Sequence, residues 1–210
     1  MTSDRSSSPL RLAVLVSGGG TTLVNLQHRI DEGRLNARVD YVVANRSCRG
    51  LDRAAELNIF AELVAPSTYS SLEEYSDAVF QKCRDRNIDL VILGGFLARI
   101  LIPDDFENRV MNIHPGLIPA FCGKGMYGHH VHEAVLTRGC KVSGCTVHFC
   151  DNQYDHGPII LQRTVPVLDD DNADTLAARV FEAECEAYPE AISLFAAGRL
   201  QVNGNRVAIQ

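Results

Sequence analysis

The sequence predicts one α/β domain built on a doubly wound, mostly parallel sheet flanked by helices, with a C-terminal hairpin. Residues 12–16, 39–44, 59–64 and 89–93 form short segments that are largely apolar instead of alternating, as strands are when both faces of their sheet are covered. Segments with helical spacing, at 23–30, 51–57 and 72–86, fall between them, which is the alternation of a parallel sheet. The first strand stops at Ser17-Gly18-Gly19-Gly20-Thr21-Thr22, a glycine turn that feeds a helix.

The remaining elements follow in order. Residues 1–10 are polar and Ser-rich and are expected to be a disordered tail before a single domain spanning 11–210. After Gly94-Gly95 the pattern changes: a short strand at 110–113 runs into a long loop at 114–130, and loops of this length are usually functional or disordered. Strands are expected at 142–149 and 159–166, joined by CDNQYDHGP, and a long helix at 173–197, bent near Pro189. The hairpin, at 199–210, contains Asn203-Gly204, which suits a type I′ turn.

A chain of 210 residues, 46% hydrophobic and 22% charged, has the balance of an ordinary globular domain. Its net charge of -6 and its scattered Lys and Arg offer no stripe for a phosphate backbone, so nucleic acid is not an expected partner. No apolar run approaches the roughly 20 residues that span a bilayer, and the N-terminus lacks the apolar core of a secretory signal; the expected location is cytoplasmic. The seven cysteines show no CxxC spacing and are read as reduced thiols. His129, His130 and His132 follow Cys122 closely, but no paired-ligand motif supports a metal, and none is expected. The choice between monomer and homodimer stays open.

The glycine turn places backbone N–H groups at the positive end of a helix dipole, where a phosphate is the natural guest. A plain tight turn, with Thr21 or Thr22 capping the helix, is the competing reading. The turn lacks the lysine of a P-loop, and Leu23 stands where a dinucleotide fingerprint has its third glycine, so a phosphomonoester fits better than ATP or NAD. Asn112 and His114, followed by Pro115, alternate onto one side of a strand end, setting an amide donor beside an imidazole. That pair suits acyl transfer, in which oxygen charge develops and a proton moves, although a histidine at a strand end is often only structural. Asp155 lies in a polar turn between two apolar strands. It either faces solvent or, if the sheet brings it against residue 114, supports that imidazole.

With these segments in view, the chain resembles the phosphoribosylglycinamide formyltransferases of purine synthesis over residues 11–198. The carrying motifs are LAVLVSGGGTTL, GGFLARIL, MNIHPGLIPAF, VSGCTVHFCDNQYDHGPIILQ and EAECEAYPEAISLFAAGRL. The resemblance implies a Rossmann-like formyltransferase fold, with a phosphate-binding half at about 11–95 and a folate-binding, catalytic half at about 96–198. It also implies transfer of the formyl group of 10-formyltetrahydrofolate, a co-substrate, to the amine of glycinamide ribonucleotide. Asn112, His114 and Asp155 would be catalytic, with Asn112 and protonated His114 stabilising an oxyanion while Asp155 organises water and keeps His114 charged. Gly18, Gly19, Gly20, Thr21 and Thr22 would hold phosphate, Glu184 the ribose, and Pro115 would line the acceptor site. Arg99, Ile100 and Leu101, opposite Cys150, Asp151 and Asp155 and with Asn112, would form the folate slot, and His148 would support the site.

This sequence departs from the family at three places. Thr22 stands where many members carry Asn. Gly116 replaces a common Ser and is expected to loosen the turn after His-Pro. The loop FCGKGMYGHHVH is longer than in the shortest members, with Lys124 read as a solvated lysine in preference to a ligand contact. The alternatives are a formyltetrahydrofolate hydrolase, expected to carry an extra N-terminal domain and to have no use for a phosphate loop, and a non-catalytic folate or nucleotide binder. A methionyl-tRNA formyltransferase would be expected to add a C-terminal RNA-binding domain.

Overall fold

The computed structural model describes residues 8–210. The expected tail at 1–10 lies mostly outside the described residues, and Leu10 already belongs to the first strand. Strands β1 (Leu10–Val16), β2 (Ala37–Ala44), β3 (Ala61–Leu63), β4 (Leu90–Leu93) and β5 (Val110–His114) pair in parallel, in the spatial order β3-β2-β1-β4-β5. The sheet then changes sense. Strand β6 (Val142–Phe149) lies antiparallel to β5, and β7 (Ile159–Pro166) lies antiparallel to β6. The hairpin of β8 (Leu200–Asn203) and β9 (Arg206–Ile209) joins β7 through a parallel pair, Ile159 with Arg206, and completes a nine-stranded sheet.

The continuous apolar run of β1 has a direct cause. Leu12, Val14 and Val16 point to one face and Ala13 and Leu15 to the other, and all five are 0% exposed. The first face is covered by α1 (Thr21–Asp31), α2 (Arg49–Glu56), α4 (His129–Arg138) and α5 (Ala173–Ala196), through Leu23, Ala54, Val135 and Val180. The second is covered by α3 (Leu72–Asp85), through Tyr75, Val79 and Phe80. Burying one such side chain contributes roughly 1.5–3 kcal/mol, so the two-sided strand is the main source of cohesion.

Two expectations need correction. Residues 129–138, which overlap the end of the loop expected at 114–130, form α4: Val131, His132 and Val135 share its buried face, and Gly139, at a left-handed φ of 72°, ends it. The hairpin loop is Gly204-Asn205, because Asn203 already pairs with Arg206. Only Gly204 has positive φ, which excludes the type I′ turn expected on Asn203-Gly204.

Helix α5 runs through Pro189. Proline has no N–H, so the carbonyl four residues earlier, that of Cys185, loses its partner within the helix. Asn25 Nδ2 donates to it at 3.1 Å and Arg29 Nη2 at 3.5 Å, joining α1 to α5 at that point. One turn further, the buried Tyr188 hydroxyl lies 2.7 Å from the Met111 carbonyl and 3.3 Å from that of Leu93, tying α5 to the ends of β5 and β4. All seven cysteines are free, and no helix among the described residues is long and apolar enough to cross a membrane.

Replacing Tyr188 with Phe removes that tie while keeping the ring. Chemical denaturation is expected to show a loss of about 1–2 kcal/mol, the cost of leaving buried carbonyls without their donor. An unchanged midpoint would show that the hydroxyl contributes nothing.

Candidate active site

Strand β1 has β2 on one side and β4 on the other, so the chain leaves its C-terminal end at a switch point, where open α/β sheets form a crevice. A cleft of about 530 Å³ opens there. Its walls include Gly18 to Thr22, the loop after β4, the end of β5, the turn after β6, and one face of α5.

The glycine loop enters α1 through Gly20, which is left-handed at φ 70°. No side chain caps this helix. The plain capping role for Thr21 or Thr22 is therefore not the one adopted, and the first-turn N–H groups are left for a ligand. All five loop residues from Gly18 to Thr22 line the cleft.

Asn112 and His114 stand on β5 directly opposite His148 and Thr146 of β6. His148 is 2% exposed, and its Nδ1–H donates to the Phe149 carbonyl at 2.8 Å. That fixes its tautomer, so Nε2 accepts from Asn112 Nδ2 at 3.2 Å. Burial lowers the pKa of His148, in keeping with a neutral ring. One amide N–H of Asn112 is thereby occupied and the other is left for a ligand oxygen. His114, also 2% exposed, donates through Nε2–H to the Phe121 carbonyl at 2.8 Å. Its Nδ1 is the nitrogen free to exchange a proton, and Asp155 Oδ2 lies 3.6 Å from it.

Asp155 reaches this position because the turn after β6 folds back over the strand. Asp155 has a left-handed φ of 49°, and at Gly157 any Cβ would sit 2.0 Å from the Phe149 carbonyl oxygen. The carboxylate stands between two imidazoles, with His148 Nε2 at 3.8 Å from Oδ1, and accepts the Gly123 N–H at 2.8 Å. His114 and Asp155 thus grip the same loop at Phe121 and Gly123. The turn after His114 is held as well: the Thr146 hydroxyl donates to the Gly116 carbonyl at 2.7 Å and accepts from the Ile118 N–H at 3.1 Å.

The segments expected to form the folate slot face each other across the cleft. Arg99 and Ile100 line the cleft, as do Cys150 and Asp151, and the Leu101 N–H donates to Ser76 Oγ at 2.9 Å. Ile102 lines the cleft as well. Asn152 clamps Ile102, accepting its N–H at 2.7 Å and donating to its carbonyl at 3.3 Å, which fixes the two loops against each other. Asp151 is engaged by the Gln153 N–H and by His156, both within 2.8 Å. Pro115 also lines the cleft, whereas Lys124 is exposed and outside it.

His132 was not anticipated. It lines the cleft, is 4% exposed, and its Nδ1 has no partner. Burial, with His129 and His114 nearby, pushes its pKa down to about 4, so the ring is neutral. Read as a helix, the spacing of Val131, His132 and Val135 would have turned this residue inward. His129 lines the cleft beside His132, their ring centroids 6.2 Å apart, and pairs with Asp174, whereas His130 pairs with Glu133. Among the described residues no group of His, Cys, Asp or Glu side chains is set to hold a metal.

On α5, Ala177, Phe181 and Glu184 form one stripe facing the cleft. Burial pushes the Glu184 carboxyl up to about 8, from an ordinary value of 4.5.

A formyl transferase family model matches residues 10–192. A chloroplastic phosphoribosylglycinamide formyltransferase of Vigna unguiculata is 38% identical over 195 residues, covering 90% of this chain and 62% of that protein. The trifunctional purine biosynthetic protein adenosine-3 of Gallus gallus is 36% identical over 199 residues, covering 93% of this chain. The chain thus spans under two thirds of the first relative and 19% of the second. Among solved structures, glycinamide ribonucleotide transformylase 1 of Symbiobacterium toebii superposes with a TM-score of 0.90 at 40% identity, covering 96% of this chain and 94% of that one.

The raised pKa of Glu184 has a definite sign. Between 4.5 and about 8 the folded chain keeps a proton that the unfolded chain has released, so this contribution to stability is full below that window and is lost as pH rises through it. Thermal melts from roughly pH 5 to pH 9 are expected to show the wild type losing stability across this range and Glu184→Gln losing much less. Equal slopes would remove Glu184 as the source.

Proposed function

Because the chain belongs to the formyl transferase family, on its phosphoribosylglycinamide branch, we propose that it formylates the amine of glycinamide ribonucleotide for de novo purine synthesis, with 10-formyltetrahydrofolate as donor. The observation that carries this reading is a single cleft holding both an anion-binding glycine loop and the cluster of Asn112, His114 and Asp155.

In this reading the phosphate of the acceptor rests on Gly18 to Thr22 and its ribose lies by Glu184. The pterin enters the slot between residues 96–102 and 150–155. The amine nitrogen attacks the formyl carbon, and the carbonyl oxygen gains charge as the C–N bond forms. The free N–H of Asn112 and a proton on His114 Nδ1 neutralise that charge. Asp155 Oδ2, 3.6 Å from that nitrogen, is placed to orient the water that relays protons. A proton lost from the attacking nitrogen and one gained by the folate nitrogen then let the oxyanion collapse to a carbonyl, breaking the bond between the formyl carbon and the folate nitrogen and releasing tetrahydrofolate. The unpaired cysteines accord with a cytosolic location, which belongs to the same proposal.

The test is incubation with 10-formyltetrahydrofolate, with and without glycinamide ribonucleotide. Formylation that depends on the amine supports the transferase. Formate release without the amine would make the protein a hydrolase, and no turnover with tight folate binding would make it a binder. His114→Ala is expected to lower kcat by about 10²–10⁴-fold with folding intact. Asp155→Asn is expected to lower it by about 10²-fold or more. Near-normal turnover by either variant would remove that residue from the chemistry.

A further inference from the structure

We propose that Arg46 and Arg53 are positioning residues that turn the N–H groups of the glycine loop toward the acceptor's phosphate; the inference rests on the reading of that loop as the phosphate site. Three successive carbonyls of the loop are taken up from one side. Arg46 Nε donates to the Ser17 carbonyl at 2.7 Å, the Gly50 N–H to that of Gly18 at 2.9 Å, and Arg53 Nη1 to that of Gly19 at 2.7 Å. In a planar trans peptide, C=O and the following N–H point in opposite directions. Pinning the carbonyls of residues 17, 18 and 19 therefore turns the N–H groups of Gly18, Gly19 and Gly20 away from the 46–53 segment.

The cleft lies on that far side. Gly18, Gly19 and Gly20 line it, and no residue from 46 to 53 does. Among the described residues, none of these three N–H groups donates a hydrogen bond. The two segments can approach so closely because both contact points are glycines: a Cβ on Gly20 would meet Gly50 Cα at 2.8 Å, and one on Gly50 would meet Val16 Cγ2 at 2.8 Å.

The electrostatic consequence is twofold. A carbonyl free to swing would present its negative end to an incoming dianion, and the two guanidinium donors prevent that. They also place positive charge behind the loop, so the peptide dipoles between them and the cleft are aligned toward an anion. Neither arginine touches the reacting groups. Their contribution belongs to affinity for the phosphate and not to the chemical step.

The experiment uses Arg53→Met and Arg46→Met, which keep much of the aliphatic stem and lose the donor, and Arg53→Lys, which restores a cationic donor. Each is titrated calorimetrically with ribose 5-phosphate and assayed for formyl transfer, with folding checked by thermal melt. Each methionine variant is expected to bind ribose 5-phosphate about tenfold more weakly, the scale of one charge-assisted hydrogen bond. KM for the ribonucleotide should rise in parallel, while kcat and KM for the folate donor stay within about twofold. Arg53→Lys should recover most of the loss. A merely structural role would weaken all substrates together, or lower kcat, and would overturn the proposal. If the wild type binds ribose 5-phosphate and both folded methionine variants bind it equally well, this inference alone fails. If the wild type binds none, the phosphate reading of the loop fails with it. Should Arg53→Met lose its cooperative melt, Arg46→Met, altered at an exposed residue on a different carbonyl, decides the question by the same titration.

Discussion

The register between β5 and β6 is the constraint on which the site depends. It sets Asn112 against His148 and His114 against Thr146. Side chains alternate along a strand, so a slip of one residue would set Asn112 against Val147 or Phe149 and turn both supports to the opposite face. The same pairing lets Thr146 hold the chain as it leaves β5, through Gly116 and Ile118. One ladder therefore fixes the amide, the imidazole and the entry to the loop that both His114 and Asp155 grip.

The change from parallel to antiparallel pairing at β5 gives the two halves of the cleft different work. The parallel half ends in backbone donors, supplied by a glycine turn and an uncapped helix. The antiparallel half carries β6 into β7 through the turn at 150–158, which folds back far enough to bring Asp155 beside His114. The site is thus a junction between two kinds of sheet, with oriented dipoles on one side and titratable side chains on the other.

The cores of β1, β2 and β4, at 12–16, 41–44 and 90–93, are legible in the sequence because two-sided burial leaves no charged residue to interrupt them. β6 and β7 are legible in extent but not in direction, since an apolar run reads the same either way. Helix α4 is hidden by its composition: it opens with His129-His130, has no side-chain cap, and buries a histidine among valines, so its periodicity is blurred. The hairpin turn shifted because Asn203 was drawn into the ladder by its pairing with Arg206. The contact between His114 and Asp155 could not be read from spacing at all. It needs the antiparallel return, the left-handed φ at residue 155 and the bare Gly157, each unremarkable alone.

The joint between α1 and α5 carries a lesson about inheritance. Its acceptor is a main-chain oxygen, so no side-chain replacement at Cys185 can delete it, and that position is free to drift as far as this contact is concerned. The residue that creates the contact is Pro189, four positions away, by what it lacks. Substituting any other residue there would give the helix back its own hydrogen bond and set it in competition with Asn25 for the same oxygen. A proline that would ordinarily count against a helix here encodes where two helices meet, at an address that a comparison of the touching side chains alone would pass over.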